Sequence, residues 1–263
     1  MSFEQRFLNN EGDQILDLPY GSQENVLYQG DCLDILSALN DNEFDLIIAD
    51  PPYNIGILQK WSKEEYLEWC KKWLFQLKRV LREDGSLYVF VSRQLYPELY
   101  LMIRDEIKLY DRRILIYHYK NGGIIRNTSW RSSYEPILYF TKSDNYAFNV
   151  EKWSEKYFDV HVVARPQVNF KDKRLHPTQK PYELIHRLVK TSSDEHDCVL
   201  DCFSGSGTTL KVANDFNRAC VSIEINPEYC DIIQERCSVF KVVYDTSKQK
   251  EKESQDKYRK RTV

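Results

Sequence analysis

A buried strand that ends in an acid and two prolines is the strongest constraint on the fold of this 263-residue chain. The apolar run 44–49 has the composition of a parallel strand covered on both faces, and Asp50, Pro51, Pro52 and Tyr53 follow it directly. Neither proline has an N–H, and each holds the residue before it in extended geometry, so the turn is stiff. Because open α/β sheets bind ligands at the carboxyl ends of their strands, we predict an α/β fold with a binding site at this turn.

The turn offers hydrogen-bond acceptors and an aromatic ring, but no nucleophile. A planar group that carries an NH2 would suit it, because the Asp50 carboxylate and a backbone carbonyl can accept its two N–H groups. Tyr53 could then stack on the ring of the same group. The alternative interpretation is a Pro-Pro turn that only redirects the chain.

Composition favours one globular domain. The chain is 42% hydrophobic and 29% charged, enough for a sheet with helices on both faces. We expect a single domain over residues 1–245 and a charged, disordered tail over 246–263. The seven cysteines are odd in number and form no C-x-x-C pair, so we interpret them as reduced core residues and expect no metal site. The N-terminus is polar and no run of 18 apolar residues occurs, so a cytoplasmic protein without a membrane segment is expected.

Charge is unevenly distributed along the chain. The net charge is −3, but residues 1–50 contain eleven acidic residues and one arginine, a net of −10. The rest of the chain therefore carries +7. A local basic face could meet a polyanion, although an ordinary mixed-charge surface would give the same totals.

A second motif lies far downstream, where the strand 198–201 leads into a glycine-rich turn and a helix. Gly205 and Gly207 would let the backbone approach a ligand, and Glu224 ends the next strand, 23 residues after Asp201. That is the expected place for a carboxylate that binds ribose hydroxyls. No lysine follows the second glycine, which disfavours a P-loop, and Leu210 stands where a dinucleotide fingerprint has its third glycine or alanine.

These motifs together resemble the amino-group DNA methyltransferases, which use S-adenosylmethionine to methylate adenine N6 or cytosine N4. The similarity rests on the Asp-Pro-Pro-Tyr turn, on Asp-x-Phe-x-Gly-Ser-Gly-Thr-Thr at 201–209 and on His-Pro-Thr-Gln-Lys-Pro at 176–181, and it covers about residues 25–240. The motif order resembles the β group of that family. The resemblance implies a circularly permuted class I (Rossmann-like) methyltransferase fold with a seven-stranded, mostly parallel sheet and helices on both faces. In that fold, the strands ending at Asp50 and Asp201 are neighbours.

The resemblance also implies roles for individual residues. The catalytic set is Asp50, Pro51, Pro52 and Tyr53. The cofactor-binding set is Asp31 and Cys32 near the adenine, Glu224 on the ribose, and His176, Lys180, Asp201, Phe203, Ser204, Gly205, Ser206, Gly207, Thr208 and Thr209 around the methionine part. Asp31 could equally cap the helix that follows it. A short target-recognition insertion maps to about 141–175, and the candidate DNA-contacting residues are Arg126, Arg131, Arg165, Lys171, Lys173 and Arg174.

The implied substrate is a base in double-stranded DNA, flipped out of the helix so that its amine can be reached. Asp before Pro-Pro-Tyr favours adenine N6 in this family, with cytosine N4 as the alternative. More distant alternatives are a non-catalytic DNA-binding subunit and a methyltransferase of RNA or protein amides. A homodimer and a cognate restriction endonuclease are further expectations from the resemblance.

Overall fold

A computed structural model describes residues 7–9, 25–54, 61–121, 130–149, 158–167, 175–237, 239 and 241–245. Within these ranges there are ten strands: β1 (Phe7–Asn9), β2 (Asn25–Gln29), β3 (Phe44–Ala49), β4 (Leu81–Phe90), β5 (Tyr110–His118), β6 (Tyr134–Thr141), β7 (Val160–Val162), β8 (Cys198–Asp201), β9 (Ala219–Glu224) and β10 (Lys241–Asp245). The α-helices are α1 (Cys32–Leu36), α2 (Lys63–Val80), α3 (Tyr96–Leu101), α4 (Tyr182–Ser192), α5 (Thr208–Asp215) and α6 (Pro227–Arg236), and a π-helical turn spans Met102–Ile107.

All ten strands belong to one sheet, in the order β1-β10-β2-β9-β8-β3-β4-β6-β5-β7. The run from β10 to β4 is parallel, and β6 lies antiparallel between β4 and β5. The strands ending at Asp50 and Asp201 are neighbours, with Ile48 paired to Asp201. The predicted adjacency of the two motifs and the predicted permuted α/β fold are therefore confirmed.

The predicted number of seven strands is too low for the described part of the chain. The seven expected strands form the contiguous order β2-β9-β8-β3-β4-β6-β5, and three short strands extend it. β1 and β10 lie beyond one edge, and β7 lies beyond the other. These strands have three to five residues and too little alternation to be detected from sequence, because pairing with an existing sheet edge creates them.

The sheet separates two apolar layers. Alternate residues of β3 face opposite sides, with Ile47 packing in the layer of α1, α2 and α3, and Ile48 in the layer of α4, α5 and α6. All seven cysteines are buried, as the sequence predicts. Each layer covers one face of the sheet. Because the central strands are parallel, their carboxyl ends lie at the same edge of the sheet.

Helix α2 begins where its sequence pattern predicts. Ser62 followed three residues later by Glu65 is the pattern of a capping box, and the two residues form that box at the start of α2.

The helical interval after β4 has two parts. The sequence predicts one helix over 97–109, but α3 ends at Leu101 and the π-helical turn follows it directly. At the end of that turn, the Lys78 ammonium donates to the carbonyl oxygens of Ile107 (2.7 Å) and Lys108 (3.2 Å), which a helix end leaves without partners.

The predicted insertion contributes to the sheet where the structure describes it. β7 pairs with β5 in parallel, and Val160 and Val162 are exposed on this edge. The tail 246–263 lies outside the described residues. Among the helices that are described, none has the length and apolarity to cross a membrane.

Candidate functional site

Two neighbouring strands carry acids into one cleft. Asp50 follows β3, Asp201 ends β8, and both line a cleft together with the glycine-rich turn, Phe90 and the segment His176–Lys180. The chain topology brings these segments together from positions 130 to 150 residues apart in sequence. The arrangement is that of a two-ligand cleft at the carboxyl edge of an α/β sheet.

The glycine-rich turn has the backbone geometry of a close ligand approach. Gly205 and Gly207 have φ angles of 52° and 75°, a region that favours glycine. Gly207 precedes the first turn of α5, and a Cβ built on it would lie 3.0 Å from a side-chain carbon of Ile233. The Gly205 position is flanked by the His176 ring, 3.6 Å from where a Cβ would stand. A side chain would be strained at either glycine because of the positive φ angle, and at Gly207 it would also crowd Ile233.

Glu224 is fixed by backbone donors. One carboxylate oxygen accepts the N–H of Gly205 at 2.8 Å, and the other accepts the N–H of Asn226 at 2.8 Å. Burial raises the pKa of the Glu224 carboxyl, and these backbone N–H groups oppose that effect. Each oxygen keeps a further lone pair, so the group fits the predicted acceptor role toward ribose hydroxyls.

Asp201 and Phe203 form the floor of the cleft. A carboxylate oxygen of Asp201 accepts the N–H of Phe203 at 3.0 Å, and burial raises the pKa of Asp201 to about 7. The Phe203 ring packs against Trp69 and Trp73, with centroid distances of 5.7 and 5.4 Å. A cationic ligand beside Asp201 would favour its ionised form and so oppose the effect of burial on its pKa.

The remaining residues of the glycine-rich turn contact either the cleft or helix α6. The hydroxyl of Ser204 donates to the Asp201 carbonyl oxygen at 3.0 Å. The Arg236 guanidinium donates to the carbonyl oxygen of Ser206 (2.9 Å) and to the Thr208 hydroxyl (3.2 Å), which ties the turn to α6. Thr209 lines the cleft and is hydrogen-bonded to Asp201. These contacts hold the turn in shape before any ligand arrives.

Asp31 caps α1, which was one of its two predicted roles. Its carboxylate accepts the N–H of Leu33 at 2.9 Å. Gly30 donates to the Glu224 carbonyl oxygen at 3.0 Å, so Asp31 and the buried Cys32 lie one strand away from Glu224. The structure therefore brings both residues to the cofactor edge of the sheet.

Lys180 lines the cleft and pairs with two acids, and its expected place around the methionine part of the cofactor stays a prediction. Its ammonium contacts both carboxylate oxygens of Asp50 at 2.8 Å and one oxygen of Glu135 at 3.2 Å. The two carboxylates raise the pKa of Lys180 against the opposing effect of its burial, so the side chain is charged. Lys180 thus contacts the acid of the Asp-Pro-Pro-Tyr turn directly.

Glu135 is the site residue that sequence reasoning missed. It lies in β6 before Pro136 and is held by two cations, Lys180 and the Arg165 guanidinium at 2.9 Å. Burial alone would raise the pKa of Glu135, but these cations hold it below its usual value. The available signal was a charged residue, Glu135, near the start of an otherwise apolar strand. A position at a solvent-facing edge of the sheet would explain that charge equally well.

Tyr53 lies against the same charges. Its hydroxyl donates to Asp50 at 3.1 Å, and the Lys180 ammonium is 5.3 Å from the centroid of its ring. Pro51 is buried and Pro52 is exposed, as expected for a turn that leaves the sheet. Burial raises the pKa of Asp50, and the Lys180 ammonium opposes that rise. Acid, ring and ammonium therefore form one compact group.

The candidate DNA-contacting residues are only partly described. Arg165 pairs with Glu135, and its guanidinium carbon lies 3.6 Å from the centroid of the Tyr119 ring. The Asn121 side chain accepts the N–H of Arg165 at 2.9 Å and donates to its carbonyl at 3.0 Å. Arg131 is exposed. The structure therefore links Arg165 to the active-site charges, and Arg126, Lys171, Lys173 and Arg174 lie outside the described residues.

His176 lines the cleft beside the glycine-rich turn. Its ring meets the Tyr229 ring edge-on at a centroid distance of 4.4 Å, and its Nδ1 lies 3.2 Å from the Thr178 hydroxyl. Burial and the nearby Lys180 lower the pKa of His176. The ring is therefore an uncharged wall of the cleft at neutral pH.

Comparison with known proteins agrees with this geometry. A family model described as DNA methylase matches residues 44–235. The type II methyltransferase M.HpaI of Haemophilus parainfluenzae is 32% identical over 221 residues, covering 76% of this chain and 70% of that protein. The DNA adenine methyltransferase YhdJ of Escherichia coli is 30% identical over 241 residues, covering 80% of this chain and 81% of that protein. The chain belongs to the DNA methylase family of N6-adenine and N4-cytosine methyltransferases.

Solved structures give the same fold. The cytosine-N4-specific PvuII DNA methyltransferase superposes with a TM-score of 0.71 at 20% identity, covering 81% of this chain and 86% of that chain. M1.HpyAVI, solved as a complex with S-adenosylmethionine, superposes with a TM-score of 0.63 at 25% identity, covering 80% and 99%. The fold is thus that of a class I DNA methyltransferase.

Proposed function

We propose that this chain is an S-adenosylmethionine-dependent DNA methyltransferase that methylates the exocyclic N6 of adenine. The observation that carries the proposal is the shared cleft, in which the Asp50 turn and the glycine-rich turn face each other across two adjacent strands. One turn supplies acceptors for an amine, and the other supplies a cradle for the cofactor.

The cofactor supplies an electrophilic methyl group on a sulfonium sulfur. Gly205, Gly207 and Asp201 would hold its methionine part, and Glu224 would hold its ribose. Asp31, Cys32 and His176 would complete this cofactor site from the adjoining strand end and from the ring that flanks Gly205.

The target amine is a poor nucleophile, because its lone pair is delocalised into the ring. Hydrogen bonds from the NH2 to the Asp50 carboxylate and the Pro51 carbonyl localise that pair on nitrogen. Tyr53 stacks on the base, and the Asp50 carboxylate is placed to accept the proton that the amine loses after it gains the methyl group. Catalysis then consists of positioning and electrostatics, and the stiff Pro-Pro turn supplies both.

Adenine is favoured over cytosine by the residue before Pro-Pro-Tyr. Aspartate at this position favours adenine in the family, and the relative YhdJ is a DNA adenine methyltransferase. Cytosine N4 remains the second candidate, because the fold is shared with a cytosine-N4-specific enzyme and because both bases present an NH2 beside a ring nitrogen acceptor.

Double-stranded DNA is the proposed substrate, and the segment at about 141–175 is the proposed recognition insertion. The target base must be flipped out of the helix to reach a cleft this deep in the sheet edge. A restriction-modification role is supported by the type II methyltransferase relative. A cognate endonuclease and a homodimer stay predictions from the family resemblance.

The test is transfer of labelled methyl from S-adenosylmethionine to unmethylated DNA, followed by digestion to nucleosides and mass spectrometry. N6-methyladenine is expected from the wild type. Asp50→Ala should lower the rate by about 1,000-fold, the scale of losing one transition-state hydrogen-bonding group. Asp231→Ala, which removes an exposed acid on α6, is the matched control and should retain full activity. N4-methylcytosine would overturn the base assignment, and absence of any methylated DNA base would overturn the proposed function.

A further inference from the structure

Four charged side chains meet beside the Asp50 turn and alternate in sign. Asp50 contacts Lys180, Lys180 contacts Glu135, and Glu135 contacts Arg165, with separations of 2.8, 3.2 and 2.9 Å. Lys180 is 7% exposed, so little water reaches its ammonium. A buried chain of ion pairs is strongly held only when each charge keeps a partner.

The Lys180 ammonium takes up the acceptors that the proposed mechanism assigns to the target amine. It contacts both oxygens of Asp50 at 2.8 Å, and the Tyr53 hydroxyl donates to one of them at 3.1 Å. A carboxylate offers about four lone-pair positions, so these contacts use most of them. An amine that approaches Asp50 must therefore displace the ammonium from at least one oxygen.

The surroundings of the ammonium also resemble a site for a flat ring. It lies 5.3 Å from the ring centroid of Tyr53 and 4.8 Å from that of Phe90, so two aromatic side chains flank it. Both a cation and an aromatic base are favourable neighbours for such rings. The ammonium thus has the same two kinds of partner, a carboxylate and a ring, that a flipped base would have.

Glu135 provides the ammonium with a second anion at short range. It reaches the cleft from β6, and the Arg165 guanidinium fixes its other carboxylate oxygen. Arg165 is itself held by the Asn121 side chain and by stacking on Tyr119. Glu135 is therefore a stationary anion toward which the flexible lysine side chain can shift without losing its charge partner.

We propose that Lys180 occupies the place of the target amine on Asp50 in the base-free enzyme, and that Glu135 takes over its ammonium when the base enters. Glu135 is on this account a positioning residue for the methyl transfer. The inference rests on the proposed function, since it assumes that Asp50 accepts the target amine. It explains how the acid of the turn keeps a charged partner in the base-free enzyme and is yet released for the substrate.

Replacement of Glu135 tests this exchange. In Glu135→Gln, the ammonium keeps only Asp50 as an anionic partner, so its displacement by the base is less favourable. We expect the KM for cognate DNA to rise about tenfold, the scale of one charge-assisted hydrogen bond, while the single-turnover rate at saturating DNA changes less than threefold. Glu183→Gln, which changes an exposed acid in α4, is the matched control and should behave as wild type.

A second variant separates this role from a structural one. In the Lys180→Met background there is no ammonium to displace, so adding Glu135→Gln should change KM less than twofold. Fluorescence of 2-aminopurine at the mapped target position should report a weaker flipped state for Glu135→Gln alone. An equal KM effect in both backgrounds, or equal losses in KM and single-turnover rate, would overturn the proposal. Wild-type enzyme that methylates no DNA would instead overturn the proposed function, so the two failures are distinct.

Discussion

At the scale of single residues, the buried carboxyl of Asp201 makes the stability of the ligand-free protein depend on pH. Burial raises its pKa to about 7, well above the value of about 3.9 expected in the unfolded chain. As pH rises from about 4 to about 7, the unfolded chain releases this proton first, so the free energy of unfolding falls over that window. Above pH 7, the folded protein carries the full penalty of a buried charge.

Asp201→Asn should remove this penalty. We expect the cofactor-free variant to be more stable than wild type by about 2 kcal/mol at pH 8, with the difference shrinking toward pH 4. Urea unfolding at several pH values measures the effect, with Asp231→Asn as the control at an exposed position. A stability difference that is constant across this pH range would show that titration of Asp201 is not its source.

Residues whose roles depend on local chemistry were predictable from the sequence, and those whose roles depend on long-range contacts were not. The Asp-Pro-Pro-Tyr turn and the glycine pair could be recognised, because the residues that determine their backbone geometry are adjacent in the sequence. Glu135 has no such local signature, since its role comes from cations that are 30 and 45 residues away in sequence. Lys180 lies in the predicted cleft, but its contact with Asp50 was not predictable, because its motif does not say which acid its side chain reaches.

At the scale of elements, helix α2 supports the floor of the cleft. Its buried face carries Trp73, and Phe203 of the glycine-rich turn packs on Trp69 and Trp73. The helix is positioned by its capping box, in which the Ser62 hydroxyl accepts the N–H of Glu65 at 3.1 Å, and the Glu65 carboxylate accepts the N–H of Ser62 at 2.8 Å. The middle of α2 is therefore tied to the cleft through aromatic contacts, and its start is fixed by the capping box.

Ser62→Ala should destabilise the protein by about 1 kcal/mol, because one N–H at the start of α2 loses its acceptor. Thermal unfolding measures the loss. Ser62→Thr keeps a capping hydroxyl and should recover most of the stability. If the alanine and threonine variants unfold at the same temperature, the capping bond contributes nothing measurable.

The same contrast between local and long-range causes applies to the elements. The capping box, the apolar run of β3 and the strand-turn-helix at β8 and α5 are local patterns, and they were predicted. The short strands β1, β7 and β10 exist because a sheet edge was available to pair with, and no periodicity within three to five residues specifies that. The π-helical turn after α3 likewise ends at a carbonyl group that accepts from Lys78, a residue of another helix.

At the scale of the whole molecule, cofactor binding should stabilise the fold, because the cleft joins elements from distant parts of the chain. At a cofactor concentration 100 times its Kd, the stabilisation is about 2.7 kcal/mol. We expect S-adenosylmethionine to raise the Tm of the wild type and of Glu228→Gln, an exposed control on α6. Glu224→Gln should lose most of this shift, because the amide presents one acceptor where the carboxylate presents two. A full shift in Glu224→Gln would remove Glu224 from the proposed ribose contact.

The order of the strands also sets when the protein can fold during its synthesis. β2 emerges from the ribosome long before its two sheet neighbours, β9 and β10, while β3 has β4 on one side but no partner on the other until β8 ends at residue 201. The Asp50 turn lies in the first fifth of the chain. Its cleft forms only after the last third, which supplies the segment His176–Lys180 and the glycine-rich turn, has been translated. A nascent chain of this kind has a long interval with unpaired strand edges, in which encounters with chaperones or with other nascent chains decide its yield.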